Sequence, residues 1–274
     1  FIWRQKLATS DATLIPAHDI ATSEILSKHA QSTRSLRCLV VDDNSSNRDI
    51  MGRILSMAGH NAEFAVDGEQ AMAKLGSSRY DITFLDLHMP GMSGLEVLQA
   101  LREQGRDGET AKVVILTAST DMAATQRAAE LDAYGFLHKP LSIAALLETL
   151  KSAAEGRSYD MADVVTNTNP LETMRMLSDE TGVRAYLHKA LNELKDSMDA
   201  VSMAPENIDG QERGALVHRL KNSLINAGAS LSSIKPYLLD DTGLTHGQLQ
   251  ELLPGMHRIV ATTVSGLSSA PEMT

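Results

Sequence analysis

The chain has 274 residues, room for two domains at roughly 100–200 residues each. With 43% apolar residues, 22% charged residues and one cysteine, it is neither collagen-like nor wholly disordered, and it holds no disulfide scaffold or thiolate zinc cluster. A net charge of −10 and only 4% aromatic residues argue against nucleic-acid binding, and no run of about 18 apolar residues offers a membrane span.

Residues 1–35 open with Phe1-Ile2-Trp3-Arg4 and continue as a Ser/Thr/Ala/His-rich stretch without clear periodicity. They are expected to be a linker, or the tail of a preceding domain. The chain starts with Phe1 and shows no signal-peptide pattern, so it is expected to be a fragment of a longer protein whose upstream part is free to be membrane-anchored.

From residue 36 to 152, short apolar runs alternate with amphipathic stretches, the pattern of βα repeats around a parallel sheet. Leu36–Val41, Ala62–Val66, Ile82–Leu87, Val113–Leu116 and Phe136-Leu137 read as strands. Ile50, Met51, Ile54 and Leu55 begin a series of five helical stripes that ends with Ile143, Leu146, Leu147 and Leu150. Residues 153–170 lose the pattern and are expected to be a linker. Residues 171–270 contain no convincing strand. Leu171–Leu177, Val183–Val201, Val217–Ile234 and Met256–Leu267 carry apolar stripes at helical spacing, which describes a bundle.

Parallel sheets of this kind carry their functional residues beyond the carboxyl ends of the strands. Asp42, Asp43, Asp86, Thr117 and Lys139 all fall at such ends. Clustered carboxylates repel one another unless a cation sits between them, and a hard ion with oxygen ligands, Mg²⁺ or Mn²⁺, suits Asp42, Asp43 and Asp86. Lys139 and Thr117 add a positive charge and a hydrogen-bond donor. Such a set would orient phosphoryl oxygens while a carboxylate attacks phosphorus.

Val40-Val41-Asp42-Asp43, Phe84 to Gly94, Leu116-Thr117-Ala118 and Phe136-Leu137-His138-Lys139-Pro140 resemble the four signatures of the bacterial response-regulator receiver domain, in order and spacing over residues 36–152. The resemblance implies an α/β doubly wound, flavodoxin-like sheet of five parallel strands in the order 2-1-3-4-5. It implies that Asp86 becomes an aspartyl phosphate. Asp42, Asp43 and the backbone carbonyl of His88 would hold Mg²⁺, Thr117 and Lys139 would bind the phosphoryl group, and Phe136 would be the switch aromatic. The side chains of His60, His88 and His138 are expected on the surface, and Cys38 in the core.

His218 lies in Val217-His218-Arg219-Leu220-Lys221-Asn222-Ser223. At about 100° per residue it points well away from the Val217/Leu220/Leu224 seam, so it is expected to be exposed, with Lys221 beside it to offset a phosphate's charge. The segment, with Gly228 ten residues after the histidine, resembles the histidine phosphotransfer (Hpt) domain, which implies a separate all-α four-helix bundle over residues 171–270 with phosphorylation at His218. Asn222 departs from that family, which has a small residue there. Asparagine at this point either narrows the approach of a receiver or hydrogen-bonds the phosphate.

The reading that follows is a phosphorelay fragment from the C-terminal part of a hybrid sensor kinase. The chain has no Gly-rich ATP-binding loop of its own. Its expected partners are an upstream histidine kinase core and a downstream response-regulator receiver, with no nucleic acid and no membrane contact by this fragment, in the cytoplasm. The rival readings are a receiver used as a phosphorylation-controlled docking module and a free-standing two-domain shuttle.

Overall fold

The apolar runs of the first half form one parallel sheet in the computed structural model, which describes residues 17–106, 112–118, 122–157, 170–205, 207 and 210–227. The strands are β1 (Arg37–Val41), β2 (Asn61–Ala65), β3 (Ile82–Asp86), β4 (Val113–Ala118) and β5 (Gly135–Lys139), in the order β2-β1-β3-β4-β5. β3 is buried at every position, as a central parallel strand covered on both faces must be. The edge strand β2 has a single buried residue, Ala65.

Strand residues alternate between two apolar layers because successive side chains point to opposite faces. Cys38, Val40, Ile82, Phe84, Val114 and Leu116 face one layer, built on α2 (Ser45–Met57) and α6 (Ile143–Glu155). Leu39, Val41, Leu85, Val113 and Ile115 face the other, built on α3 (Gly68–Ser77), α4 (Gly94–Glu103) and α5 (Met122–Glu130). Helix starts follow the polar punctuation of the sequence. Asn44, Asp67 and Ser142 each accept a hydrogen bond from an N3 amide, and Ser93 forms a reciprocal capping box with Glu96. Gly156 closes α6 in the left-handed conformation, φ 69°.

Two features go beyond what periodicity indicated. Residues 17–32, read as linker, form the helix α1 (Ala17–Ser32). Its apolar residues do not gather on one face, so periodicity did not reveal it; a tertiary contact does the work, with Leu26 fully buried in the layer of α2 and α6. Residues 1–16 lie outside the described residues.

The helical second half packs on the sheet among the described residues. It contributes α7 (Pro170–Leu177), α8 (Glu180–Met203) and α9 (Gly210–Asn226). Leu171, Met174, Leu177, Tyr186, Leu187 and Ala190 join the same apolar cluster as α2 and α6, so the receiver-like sheet and the helices share one core. α7 packs against α1, α2 and α8. An amphipathic stripe specifies that a face is buried but not against what. The stripe at Met256–Leu267 and Gly228 lie outside the described residues.

Candidate functional site

The register of the sheet assembles the acidic cluster. Val41 pairs with Leu85, Asp86 with Leu116, and Leu116 with Leu137, so the carboxyl ends of β1, β3, β4 and β5 lie side by side. Asp42 follows β1, Asp86 ends β3, and Lys139 ends β5. The Lys139 ammonium donates to Asp42 Oδ2 at 2.9 Å and to Asp86 Oδ2 at 2.7 Å. Asn47 Nδ2 lies 3.0 Å from both oxygens of Asp42, and the amide of His88 donates to Asp86 Oδ1 at 3.3 Å. Thr117 is buried one residue beyond the Asp86–Leu116 pair, and Phe136 is half-buried against the layer of α3 and α4.

Burial sets the electrostatics. It pushes the Asp42 carboxyl up, with Lys139 pulling the other way and Asp86 adding to the rise. Burial, then the charges of Asp42 and Asp86, push Asp43 up to about 7. Burial also works against the Lys139 ammonium, but Asp42 and Asp86 beside it outweigh that and hold it above the ordinary lysine value. One oxygen each of Asp42, Asp43 and Asp86 lie within 4.8 Å of one another. Three converging carboxylates against one contacting ammonium make a donor set that fits a hard divalent cation. A cleft of about 370 Å³, lined among others by Asp43, Pro90, Glu193 and Arg219, reaches the cluster.

Gly94 holds Asp86 in place. A Cβ there would stand 2.2 Å from the Asp86 carbonyl oxygen, while the Gly94 amide donates to Leu87 O at 3.0 Å. The first turn of α4 is thereby pressed against the end of β3.

The second half delivers His218 to this cluster. Expected on the surface, His218 is 2% exposed, and Lys221 and Asn222 are 7% exposed. The seam argument placed His218 off the apolar stripe of α9, and the structure lays that polar face over the carboxyl ends of β1 and β3. The imidazoles of His88 and His218 stack with centroids 4.5 Å apart. One ligand atom each of Asp86, His88 and His218 lie within 4.8 Å of one another. Asn222 lines a small cavity of about 50 Å³ together with Asp42, Asn47 and Lys139, and its Nδ2 has no hydrogen-bond partner among the described residues.

Among the described residues, Glu193, Lys189 and Asn226 dock the halves through polar contacts. Glu193 of α8 accepts from the amides of Ser45 and Ser46 at 2.9 and 3.2 Å and from both hydroxyls, so a carboxylate from the second half sits on the N-terminus of α2. Lys189, one turn earlier, pairs with Asp49 at 2.6 Å. Asn226 Nδ2 donates to Asn44 and Asn47 at 3.0 and 2.9 Å. None of these residues stood out in the sequence, where charges on the polar side of a helix read as solvated.

The surface histidines divide. His138 is exposed as expected and His88 is half-buried. His60 is buried, accepting from the Leu36 amide at 3.1 Å and meeting His29 at 3.1 Å. Cys38 is a buried free thiol that burial pushes up to about 12. No helix among the described residues is long and apolar enough to cross a membrane.

Residues 38–151 match the profile of the family described as Response regulator receiver domain. Among curated proteins, the sensory/regulatory protein RpfC of Xanthomonas campestris pv. campestris is 38% identical over 136 residues, 49% of this chain and 19% of that protein. Sensor histidine kinase AruS of Pseudomonas aeruginosa is 28% identical over 222 residues, 78% of this chain and 22% of that protein. The chain thus spans about a fifth of the length of these two relatives. Among solved structures, chemotaxis protein CheY4 of Vibrio cholerae is 34% identical, covering 44% of this chain and 99% of its own, with a TM-score of 0.41.

Proposed function

We propose that this chain, whose residues 38–151 are a response regulator receiver domain, passes a phosphoryl group between Asp86 and His218 as one stage of a phosphorelay, its helical second half serving as the Hpt unit. One observation carries the reading: the carboxylate and the imidazole, 132 positions apart by their numbering, meet with ligand atoms within 4.8 Å. That is about the spacing at which one phosphorus atom can be shared between a leaving oxygen and an attacking nitrogen, and such positioning is most of what phosphoryl transfer needs.

In this reading Asp86 carries the acyl phosphate. Lys139 faces its oxygens from one side, and Thr117 is near enough in the sheet to donate from another. The neutral His218 imidazole attacks phosphorus as the Asp86 O–P bond breaks. Lys221, buried one turn along α9, offsets the charge that arrives on the histidine. Asn222 offers its amide to the same phosphoryl oxygens. Asp42, Asp43, Asp86 and the His88 carbonyl would hold Mg²⁺, which when bound neutralises phosphoryl charge.

The similarity to RpfC and AruS supports a place within a hybrid sensor kinase. An upstream kinase core would then phosphorylate Asp86, and a separate receiver would take the group from His218. The match to AruS extends well beyond the receiver, so it takes in residues outside that domain.

The test is labelling of the whole chain with a small radioactive phosphodonor and Mg²⁺, followed by acid and base treatment. The parent is expected to carry both a base-labile acyl phosphate and an acid-labile, base-stable phosphohistidine. His218→Gln should carry only the first, and Asp86→Asn neither. Phosphohistidine persisting in His218→Gln would sink the reading and leave the receiver as a docking module.

A further inference from the structure

Asp86 faces two different donor sets. Toward Asp42 and Asp43 the partners are hard carboxylate oxygens, whereas toward α9 they are imidazoles. One atom each of Asp86, His88 and His218 lie within 4.8 Å of one another, two nitrogens and one oxygen, with Asp86 and His218 buried. We infer that these three residues form a second cation site, selective for a borderline-soft divalent ion such as Zn²⁺, and that the ion fastens the helical half to the receiver.

Two histidines and one carboxylate with an open fourth position are an ordinary three-residue set for zinc. Mg²⁺ is a poor occupant, because it demands near-octahedral oxygen coordination and dehydrates reluctantly. Zinc bonds of about 2.0–2.1 Å place ligand atoms roughly 3.3 Å apart in a tetrahedral shell. The ligand atoms, all within 4.8 Å of one another, therefore close by at most about 1.5 Å, through side-chain torsions that also splay the stacked rings of His88 and His218.

The ligands come from both halves: Asp86 and His88 from the end of β3, His218 from α9. The ion can be fully coordinated only while the halves are docked, so by linkage it stabilises that state. It also occupies the Asp86 oxygen that would carry the phosphoryl group and the nitrogen lone pair that would attack it. The inference rests on the docked arrangement of the proposed relay, and it makes Zn²⁺ an inhibitor of transfer in both directions.

The experiment titrates the whole metal-free chain with Co²⁺, as a spectroscopic stand-in for Zn²⁺, without Mg²⁺, because Asp86 belongs to both donor sets. One equivalent of Co²⁺ is expected to give the intense visible absorption of a low-coordinate nitrogen-ligated ion, and Zn²⁺ should abolish that absorption. His88→Gln and His218→Gln, each checked for folding by circular dichroism, should each weaken binding by tenfold or more. Either variant alone suffices if the other fails to fold. Equal Co²⁺ binding by a folded variant and the parent would overturn the site. Phosphoryl transfer without Co²⁺ or Zn²⁺ is measured in parallel. Transfer that proceeds while Co²⁺ binding ignores both histidines overturns the metal site only; Co²⁺ binding that needs both while transfer is absent overturns the relay only.

Discussion

The imidazole of His218 stacks on that of His88, with ring centroids 4.5 Å apart and planes 30° from parallel. His88 is two residues beyond Asp86 at the same strand end, so one short segment carries both the carboxylate and the ring that packs on His218. Aromatic contacts of this kind contribute about 0.5–1.5 kcal/mol beyond buried area. His88→Ala is expected to slow transfer from Asp86 to His218 by roughly 2–10-fold, since each 1.36 kcal/mol is tenfold in rate. His88→Phe should recover part of the loss because it restores a ring face. Single-turnover transfer kinetics read the difference, and equal rates in all three proteins would remove the positioning role.

Glu193 contributes the second constraint on docking. Its carboxylate meets two amides at the N-terminus of α2, where the helix dipole favours negative charge. Hydrogen bonds to charged groups contribute about 1.5–3 kcal/mol. Glu193→Ala should therefore open the docked state roughly 10–100-fold more often, at tenfold per 1.4 kcal/mol. Hydrogen exchange at the Ser45 and Ser46 amides reads this directly. Lys189→Ala should do much less, because the Lys189–Asp49 pair is 36% and 45% exposed and such pairs contribute about 0.2–1 kcal/mol.

Gly94 is expected to be intolerant of the smallest substitution. Gly94→Ala puts a methyl group 2.2 Å from the Asp86 carbonyl oxygen, so either β3 or α4 must move. Overpacking of this kind typically costs about 1–3 kcal/mol. Urea denaturation should show that loss, and on the proposed relay labelling of Asp86 should fall with it, because the displaced backbone carries that carboxylate. Gly76→Ala is the control, with nothing within 4 Å of its Cβ position.

The His29–His60 contact makes stability depend on pH. The Leu36 amide donates to His60 Nδ1, which leaves its Nε2–H to donate to His29, so the contact needs both rings neutral. Burial first, then His29 and Arg34, against the opposing Asp81, lower the pKa of His60 from 6.5 to about 4. Burial and Lys151, against Glu148, lower that of His29. Between about pH 6.5 and 4 the unfolded chain therefore binds more protons than the folded one. The stability associated with this pair is complete at neutral pH and is lost as the pH falls through that window. Urea midpoints at pH 7 and pH 5 should fall further apart in the parent than in His60→Gln.

Much of the receiver was legible because its local signals agree. Val113–Leu116 is apolar throughout and flanked by polar residues, so it reads as a buried parallel strand whatever surrounds it. Asp42, Asp86, Thr117 and Lys139 sit at strand ends, and in a parallel sheet that position alone brings them together. The stripes Val183–Val201 and Val217–Leu224 likewise marked α8 and α9. Periodicity is a one-dimensional property, and these features depend only on it.

Only the tertiary structure decided what covers what. α1 has no apolar face to detect, yet Leu26 is fully buried because α7 supplies the other side. His218 lies off the seam of its own helix, which in isolation means solvent, and the receiver takes the place of that solvent. Glu193 and Lys189 look like two more surface charges until α2 presents its amides and Asp49 opposite them. In each case the decisive group lies more than a hundred residues away. Spacing along one helix sets the direction of a side chain, and packing between distant segments sets what it meets.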